Sequence, residues 1–246
     1  MSRRFDAVAV VVPAHDEVEL LPGCLAALEI AALAARAVVG RVEVVVALDA
    51  CTDASAEVAR AAGVTVVELQ ARRVGAARSA GVDAALALLQ PTPPRRIWTA
   101  HTDADSTVPP HWLTHQLAMA RSGADAVVGT VRPDFSDLTE DQREAWWATH
   151  TPGVANGHVH GANLGIRADV LSRAGGFPCV EAHEDVQLME RVAASGARVV
   201  ASDAAWVSTS GRAHGRAPDG YARYLREDLV PAASGAVRSV QGISIA

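Results

Sequence analysis

The sequence contains no lysine; all 22 basic residues are arginine. Genome composition accounts for such a bias, but the consequence is chemical. There is no Walker-type phosphate lysine and no Schiff-base lysine. Cysteine is scarce too: Cys24, Cys51 and Cys179 lie far apart, form no C-x-x-C pair and are odd in number, which points to reduced thiols and away from a disulfide framework. No run of 18 apolar residues is free of charge, because the stretch from Leu20 to Val39 is interrupted by Glu29 and Arg36 and reads as an amphipathic helix. No dense basic block offsets the net charge of −6, so nucleic acids and anionic membranes are poor partners. No G-x-G-x-x-G follows the first apolar run, which argues against a dinucleotide-dependent dehydrogenase. The apolar run near the N-terminus is short, ends at Pro13 and has no small-residue cleavage site after it. It reads as a strand and not a signal peptide, so a cytoplasmic protein, at most peripheral to a membrane, is expected.

What is present is core. Half of the 246 residues are hydrophobic, enough for one large α/β domain. Ala7–Val12, Val42–Leu48, Val64–Leu69, Arg95–His101 and Ala124–Val131 read as strands, with helical spacing at 17–36, 54–62, 75–89 and 110–122. Such alternation predicts βαβ units and a mostly parallel sheet. It breaks at Arg132, where a polar excursion carries Trp146 and Trp147. Beyond lie a strand in "VHGANLGIR", helices near 168–173 and 184–195, and two late strands, "ARVVAS" and "AWVSTS". The expected organisation is one domain over 1–232, in two halves (1–131 and 132–232), followed by a flexible tail over 233–246.

In an open parallel sheet, ligands bind beyond the carboxyl ends of the strands. Three of the four loops at that edge carry carboxylates: "PAHDE", "DACTD" and "TDADS". Asp103 and Asp105 flank one residue. About one such D-x-D arises by chance in a chain of this length, and Asp105 or Ser106 would serve equally as a helix cap. At a strand end, however, i and i+2 share a side, and paired carboxylates suit a hard cation such as Mg²⁺ or Mn²⁺ whose shell is completed by phosphates. Glu184 and Asp185 open a helix. They complement its dipole, or one of them takes a proton from an acceptor hydroxyl. His158 and His160 alternate along one face and suggest acceptor- or sugar-site groups. The adjacent tryptophans read first as packing and second as a sugar platform.

Taken in order, these segments resemble a family 2 glycosyltransferase of the GT-A fold. Pro13-Ala14-His15-Asp16-Glu17 resembles P-x-x-N-E, with Asp for Asn. Leu48-Asp49-Ala50-Cys51-Thr52-Asp53 resembles D-D-G-S-T-D, with Leu48 for the first acid. Gly75–Gly81 resembles G-x-x-x-A-R-N-x-G, with Ser79 for Asn. Asp103-Ala104-Asp105 is the D-x-D, Gly161–Arg167 the glycine strand, and Gly175–Phe177 the "GGF" before Glu184-Asp185. The resemblance runs from about residue 6 to 215. It implies a metal-dependent, inverting transfer from a nucleoside-diphosphate sugar, UDP-linked in preference to GDP-linked, to a small-molecule or carrier-linked hydroxyl. Asp49 would hold the nucleobase, and Pro13, Ala14, His15 and Glu17 would line the base and ribose pocket. Arg78 would lie near the nucleotide or its phosphates, with Arg212 and Arg216 over the diphosphate. Asp103 and Ala104 would lie by ribose and phosphate, and Asp105 would hold Mg²⁺ or Mn²⁺, with His214 as a further ligand. Asp185 would be the general base, supported by Glu184. A homodimer is compatible with the chain. Leu48 and Ser79 depart from the pattern and leave a non-catalytic nucleotide-sugar binder open. A sugar nucleotidyltransferase ranks below both, because no basic glycine loop follows the first strand.

Overall fold

The structure, a computed structural model, describes residues 3–215 and 220–235. Eight strands form one sheet: β1 (Ala7–Ala14), β2 (Arg41–Asp49), β3 (Thr65–Leu69), β4 (Ile97–His101), β5 (Ser106–Thr107), β6 (Ala126–Pro133), β7 (Leu164–Arg167) and β8 (Val199–Thr209). Their order is β3-β2-β1-β4-β7-β6-β8-β5. The first four expected strands pair in parallel as the alternation predicted. All eight residues of β1 are buried, as a strand covered on both faces requires. Its alternation decides which layer each side chain meets. Val8, Val10 and Val12 pack with α1 (Leu21–Val39), α2 (Ser55–Ala61) and α4 (Trp112–Arg121). The opposite face, with Ala7, Ala9 and Val11, packs with α3 (Val74–Leu88), α6 (Ala168–Arg173) and α7 (Glu184–Ala194). Helix α1 is long and apolar enough by composition to cross a membrane, yet Leu21, Cys24, Leu25, Leu28, Ala31, Ala32, Ala35 and Val39 are buried in the core of this domain.

Three features differ from expectation. The fifth long strand, β6, does not neighbour β4, because β7 inserts antiparallel to both. The strand expected across "VHGANLGIR" begins only at Leu164, since residues 161–163 form a 3₁₀ turn. The two late strands are one, β8, parallel to β6 with a bulge between Gly129 and Val131. Asn163 explains how that bulge survives in the core. Its amide donates to the carbonyls of Thr130 (2.9 Å) and Ala205 (3.0 Å), and its carbonyl accepts from Trp112 Nε1 at 2.8 Å. A Cβ at Gly129 would meet this amide at 2.1 Å, so only glycine leaves it room. Every buried polar atom freed by the bulge needs such a partner. The polar excursion after β6 holds α5 (Glu140–Thr149), which starts with a capping box between Thr139 and Gln142. It packs with α8 (Tyr221–Arg223) and α9 (Leu229–Ala233) in a satellite core around Trp146 and Leu225. Of the expected tail, 233–235 are described, with Ala233 ending α9, and 236–246 lie outside the described residues.

Replacing Asn163 with alanine is expected to cost about 2–4 kcal/mol, because two carbonyls and an indole lose their partner in a dry core. Urea unfolding measures this, and a loss under about 1 kcal/mol would show that the bulge is held otherwise.

Candidate functional site

The loops at the carboxyl ends of β1–β4, the turn before β7 and the start of α7 surround one cleft of about 590 Å³. Most of the expected site residues line it: Pro13, Ala14, His15, Glu17, Asp49, Arg78, Asp103, Ala104, Asp105, Glu184, Asp185 and Arg212. Arg216 lies outside the described residues. His214 is exposed in the loop after β8 and is not part of the lining. Among the described residues, four non-glycine residues adopt left-handed backbone, Asp16, Ala50, Arg72 and His183, and all sit in the loops around this cleft. Backbone strain of this kind persists where surrounding contacts over-determine it, as at binding sites.

Asp49 shows how one such loop is held. Its Oδ1 accepts the backbone N–H of Ala71 (2.7 Å) and Arg72 (2.8 Å), and its Oδ2 accepts that of Arg73 (2.7 Å). The carboxylate therefore organises the loop between β3 and α3, with only its remaining lone pairs open to a ligand. His15 Nδ1 bonds the Asp49 carbonyl at 2.6 Å. Asp16, at the family's Asn position, accepts from the backbone of Thr52 (2.6 Å) and Asp53 (3.2 Å), which ties the ends of β1 and β2 together.

Asp105 is placed by the short pairing of β5 with the end of β8. Its Oδ1 accepts from Thr209 Oγ1 (3.2 Å) and Ser106 Oγ (3.3 Å). Its Oδ2 pairs with Arg212 at 2.9 Å, and the same guanidinium is bidentate on Glu17 at 2.6 and 3.0 Å. Arg212 thus rests on two carboxylates. Burial first, then the negative Asp103 and Glu17, push the Asp105 carboxyl up to about 6, against the pull of Arg212. Among the described residues no three ligand-type side chains converge within 4.8 Å at Asp105. The group that does converge is Asp16, Cys51 and Asp53, but both its carboxylates are engaged by backbone N–H groups as loop caps.

The acid pair at α7 is the other pole of the cleft. Asp185 Oδ2 accepts the Gly161 N–H at 2.7 Å and its Oδ1 the Val186 N–H at 2.8 Å. Burial raises the Asp185 carboxyl, while Arg78 and these two N–H groups lower it. Glu184 is raised by burial and held down mainly by Arg78. Arg78 stands between the poles and is 2% exposed. Its Nη2 meets Asp103 Oδ1 at 2.5 Å and its Nε meets Glu184 Oε1 at 3.3 Å. Phe177 of the "GGF" segment stacks against the guanidinium at 5.6 Å. Behind it His101 is fully buried and, kept from protonation by burial and by Arg78, sits well below the usual imidazole range.

His160 lines the cleft and is pushed down to about 3 by burial, so it is neutral there. Its ring lies 6.2 Å from His158 and 5.5 Å, edge to face, from Tyr221. Trp146 is buried in the satellite core, and Trp147 stacks on Phe135 while 47% exposed. Neither lines the cleft, so their role is packing. The Arg212 bridge, the Phe177 stack and the Gly161 N–H were not visible as contacts in sequence. The one available signal was that Gly161 and "GGF" lay within the quoted motifs.

Residues 9–171 match the sequence profile of glycosyl transferase family 2. The chain belongs to that family. No curated protein sequence matches it. Among solved structures, this family member superposes on the mannosyltransferase PcManGT from Pyrobaculum calidifontis, solved with GDP-Man and Mn²⁺, with TM-score 0.62 and 22% identity over 95% of this chain and 74% of that one. S. aureus TarS 1-349 gives TM-score 0.61 at 14% identity over 84% of this chain, which spans 61% of that fragment. M. tuberculosis glucosyl-3-phosphoglycerate synthase with Mg²⁺ and UDP gives 0.55 at 15% identity, covering 95% and 81%. At these identities the likeness establishes a shared GT-A fold.

The raised Asp105 carboxyl makes a stability prediction for the ligand-free protein. A folded value of about 6 against an ordinary value near 3.9 means that the fold binds this proton more tightly than the unfolded chain does. Asp105 therefore weakens the fold as pH rises from about 4 to 6. Asp105→Asn is expected to be more stable than wild type at pH 7–8 and to lose that advantage below pH 4, measured by denaturant unfolding without metal. An unchanged difference across that range would show that Asp105 is not the strained acid.

Proposed function

We propose that this protein transfers a sugar from a nucleoside-diphosphate sugar to an acceptor hydroxyl, with inversion and with divalent metal, and that Asp185 is the general base. The observation that carries this is one cleft with two acidic poles. Asp49, Asp103 and Asp105 stand at the strand ends, Glu184 and Asp185 stand at the start of α7, and Arg78 joins Asp103 to Glu184. A binding module needs the first pole only.

In this reading the donor's base and ribose lie along Pro13, Ala14, His15 and Asp49, and the diphosphate lies toward Ala104 and Arg212. The donor set fits a hard cation: oxygen ligands only, with enough crowded negative charge to raise the Asp105 carboxyl. Asp105 would hold Mg²⁺ or Mn²⁺, whose chemistry is to neutralise the departing diphosphate. Few protein ligands there leave most of the shell to the diphosphate and water. His214, two residues beyond Arg212, is a candidate to approach Asp105. At the other pole, Asp185 has both oxygens oriented by backbone N–H groups, with lone pairs left for the acceptor hydroxyl. The acceptor oxygen attacks the anomeric carbon, its proton passes to Asp185, and the bond to the diphosphate oxygen breaks. Glu184 supports this through Arg78. Neutral His160 stands on the same turn as Gly161, where it can hydrogen-bond sugar or acceptor. We read the donor as UDP-linked in preference to GDP-linked, the acceptor as a small or carrier-linked molecule, and the location as cytoplasmic or membrane-peripheral.

Two substitutions and a donor panel test this. Asp185→Asn is expected to lower kcat about 10²–10⁴-fold while the affinity for nucleoside diphosphate changes less than about threefold. Asp105→Asn is expected to abolish the Mn²⁺-dependent rise in Tm with UDP or GDP. If both variants keep full turnover with UDP-, GDP- and TDP-sugars, the assignment of roles is wrong.

A further inference from the structure

Arg78 was expected beside the nucleotide, but its surroundings describe a different task. The guanidinium is 2% exposed, with Nη2 on Asp103 and Nε on Glu184. Its third nitrogen, Nη1, is buried with no hydrogen-bond partner. Nη2 and Nε are engaged by acids and Nη1 is enclosed, so a phosphate would reach this guanidinium only by displacing a carboxylate or opening the pocket. The pocket is built to prevent that: Phe177 covers one side, and on another the chain carries glycine at 161, where a Cβ would meet Nη2 at 2.3 Å and Cζ at 2.8 Å. The same Gly161 gives its N–H to Asp185. One backbone position therefore fixes both the arginine and the base.

Resting on the sugar-transfer reading above, we propose that Arg78 is a positioning residue that keeps the Glu184–Asp185 pair ionised and oriented and ties it to Asp103, and that it does not contact the donor. An acid buried beside a second acid favours the protonated form, and a protonated Asp185 accepts no proton. A fixed cation within a few ångströms reverses that preference. The charged groups around Asp185 include Arg78 from α3, Asp103 from the loop after β4 and Glu184 on its own helix. His160 and His183 are the titratable residues on the two segments that touch it, and His160 is neutral. Arg78 is the charged group that most lowers the Asp185 carboxyl. Asp103, 36% exposed at its side chain, is the member of the chain nearest the donor pole.

The test reads the acids directly. Protein carrying ¹³C-carboxyl Asp and Glu is titrated by NMR for wild type, Arg78→Gln and Arg78→Lys, with Asp185→Asn for assignment. Arg78→Gln is expected to raise the apparent titration of the pair by about one pH unit or more and to move the acidic limb of kcat/KM upward in parallel. UDP or GDP affinity should change less than about threefold. Arg78→Lys restores the charge but not the two-nitrogen fork, so its titration should return toward wild type while kcat stays reduced. Gly161→Ala, which displaces the guanidinium without removing it, should shift the titration in the same direction, and covers the case in which Arg78→Gln does not fold. An unmoved titration in folded Arg78→Gln, or a more than tenfold loss of nucleotide affinity with the acids unmoved, overturns the proposal. If the titration shifts but wild type transfers no sugar to any acceptor, the activity reading fails and the role of Arg78 toward the pair stands.

Discussion

One buried guanidinium organises this cleft. Three carboxylates, Asp103, Glu184 and Asp185, act on Arg78, which is the most enclosed charge in the site. Burying an arginine costs several kcal/mol unless its partners are close and fixed. The close partners come from segments distant in the chain, the loop after β4 and the start of α7. The ion pairs are 25 and 106 residues apart in sequence. Helix α3, the loop after β4 and the start of α7 therefore meet through a charge that none of them can leave unpaired. Much of the nearby structure follows from accommodating it: a glycine at 161, the Phe177 ring against the guanidinium, and a neutral His101 behind it.

The donor pole obeys a looser version of the same rule. Glu17, Asp103 and Asp105 crowd together, and Arg212 bridges the first and third from the segment after β8. Unlike Arg78, Arg212 is partly exposed, at 26% of its side chain. The contrast is physical. The inner arginine is locked because it is almost fully enclosed between two carboxylates, a ring and a glycine, whereas the outer one is more open to the cleft, so its ion pairs are weaker and exchangeable. A site that binds a doubly charged leaving group and its cation needs exchangeable charge at that end. A general base needs fixed charge at the other.

Much of this was legible in the order of residues. Parallel strands buried on both faces are runs of apolar residues, so β1 to β4 and the helices between them were readable from periodicity, and the acids at their carboxyl ends marked the cleft. The insertion of β7 between β4 and β6 was not readable, because four residues of strand carry no period, and their partners lie about 40 and 65 residues away. The bulge in β8 was hidden for a related reason. It exists because Asn163, from a turn that looked like strand, replaces the missing ladder bonds. Motif resemblance found Arg78 and Asp49 but not their partners within the protein. Asp49 spends three acceptor sites on the loop between β3 and α3, and Arg78 faces acids. A motif records which residue recurs, while hydrogen-bond capacity decides what is left over for a ligand.

That last distinction bears on how donor and acceptor ends communicate in the proposed reaction. Asp103 both lies beside the D-x-D residue Asp105 and pairs with Arg78. Any change in the Asp103 carboxylate, whether a hydrogen bond to ribose or a shift toward a cation, alters how much of the Arg78 charge is spent on it. What Asp103 releases is available to Glu184 and Asp185 through a guanidinium that cannot move away. Drawing Asp103 toward the donor therefore lowers the proton affinity of the pair, whereas an empty donor pole leaves it higher. Base strength and donor occupancy are coupled by electrostatics alone, across a few ångströms and without a hinge. The coupling runs in the direction that leaves the pair most readily protonated, and so least available to take an acceptor's proton, when there is no sugar to transfer.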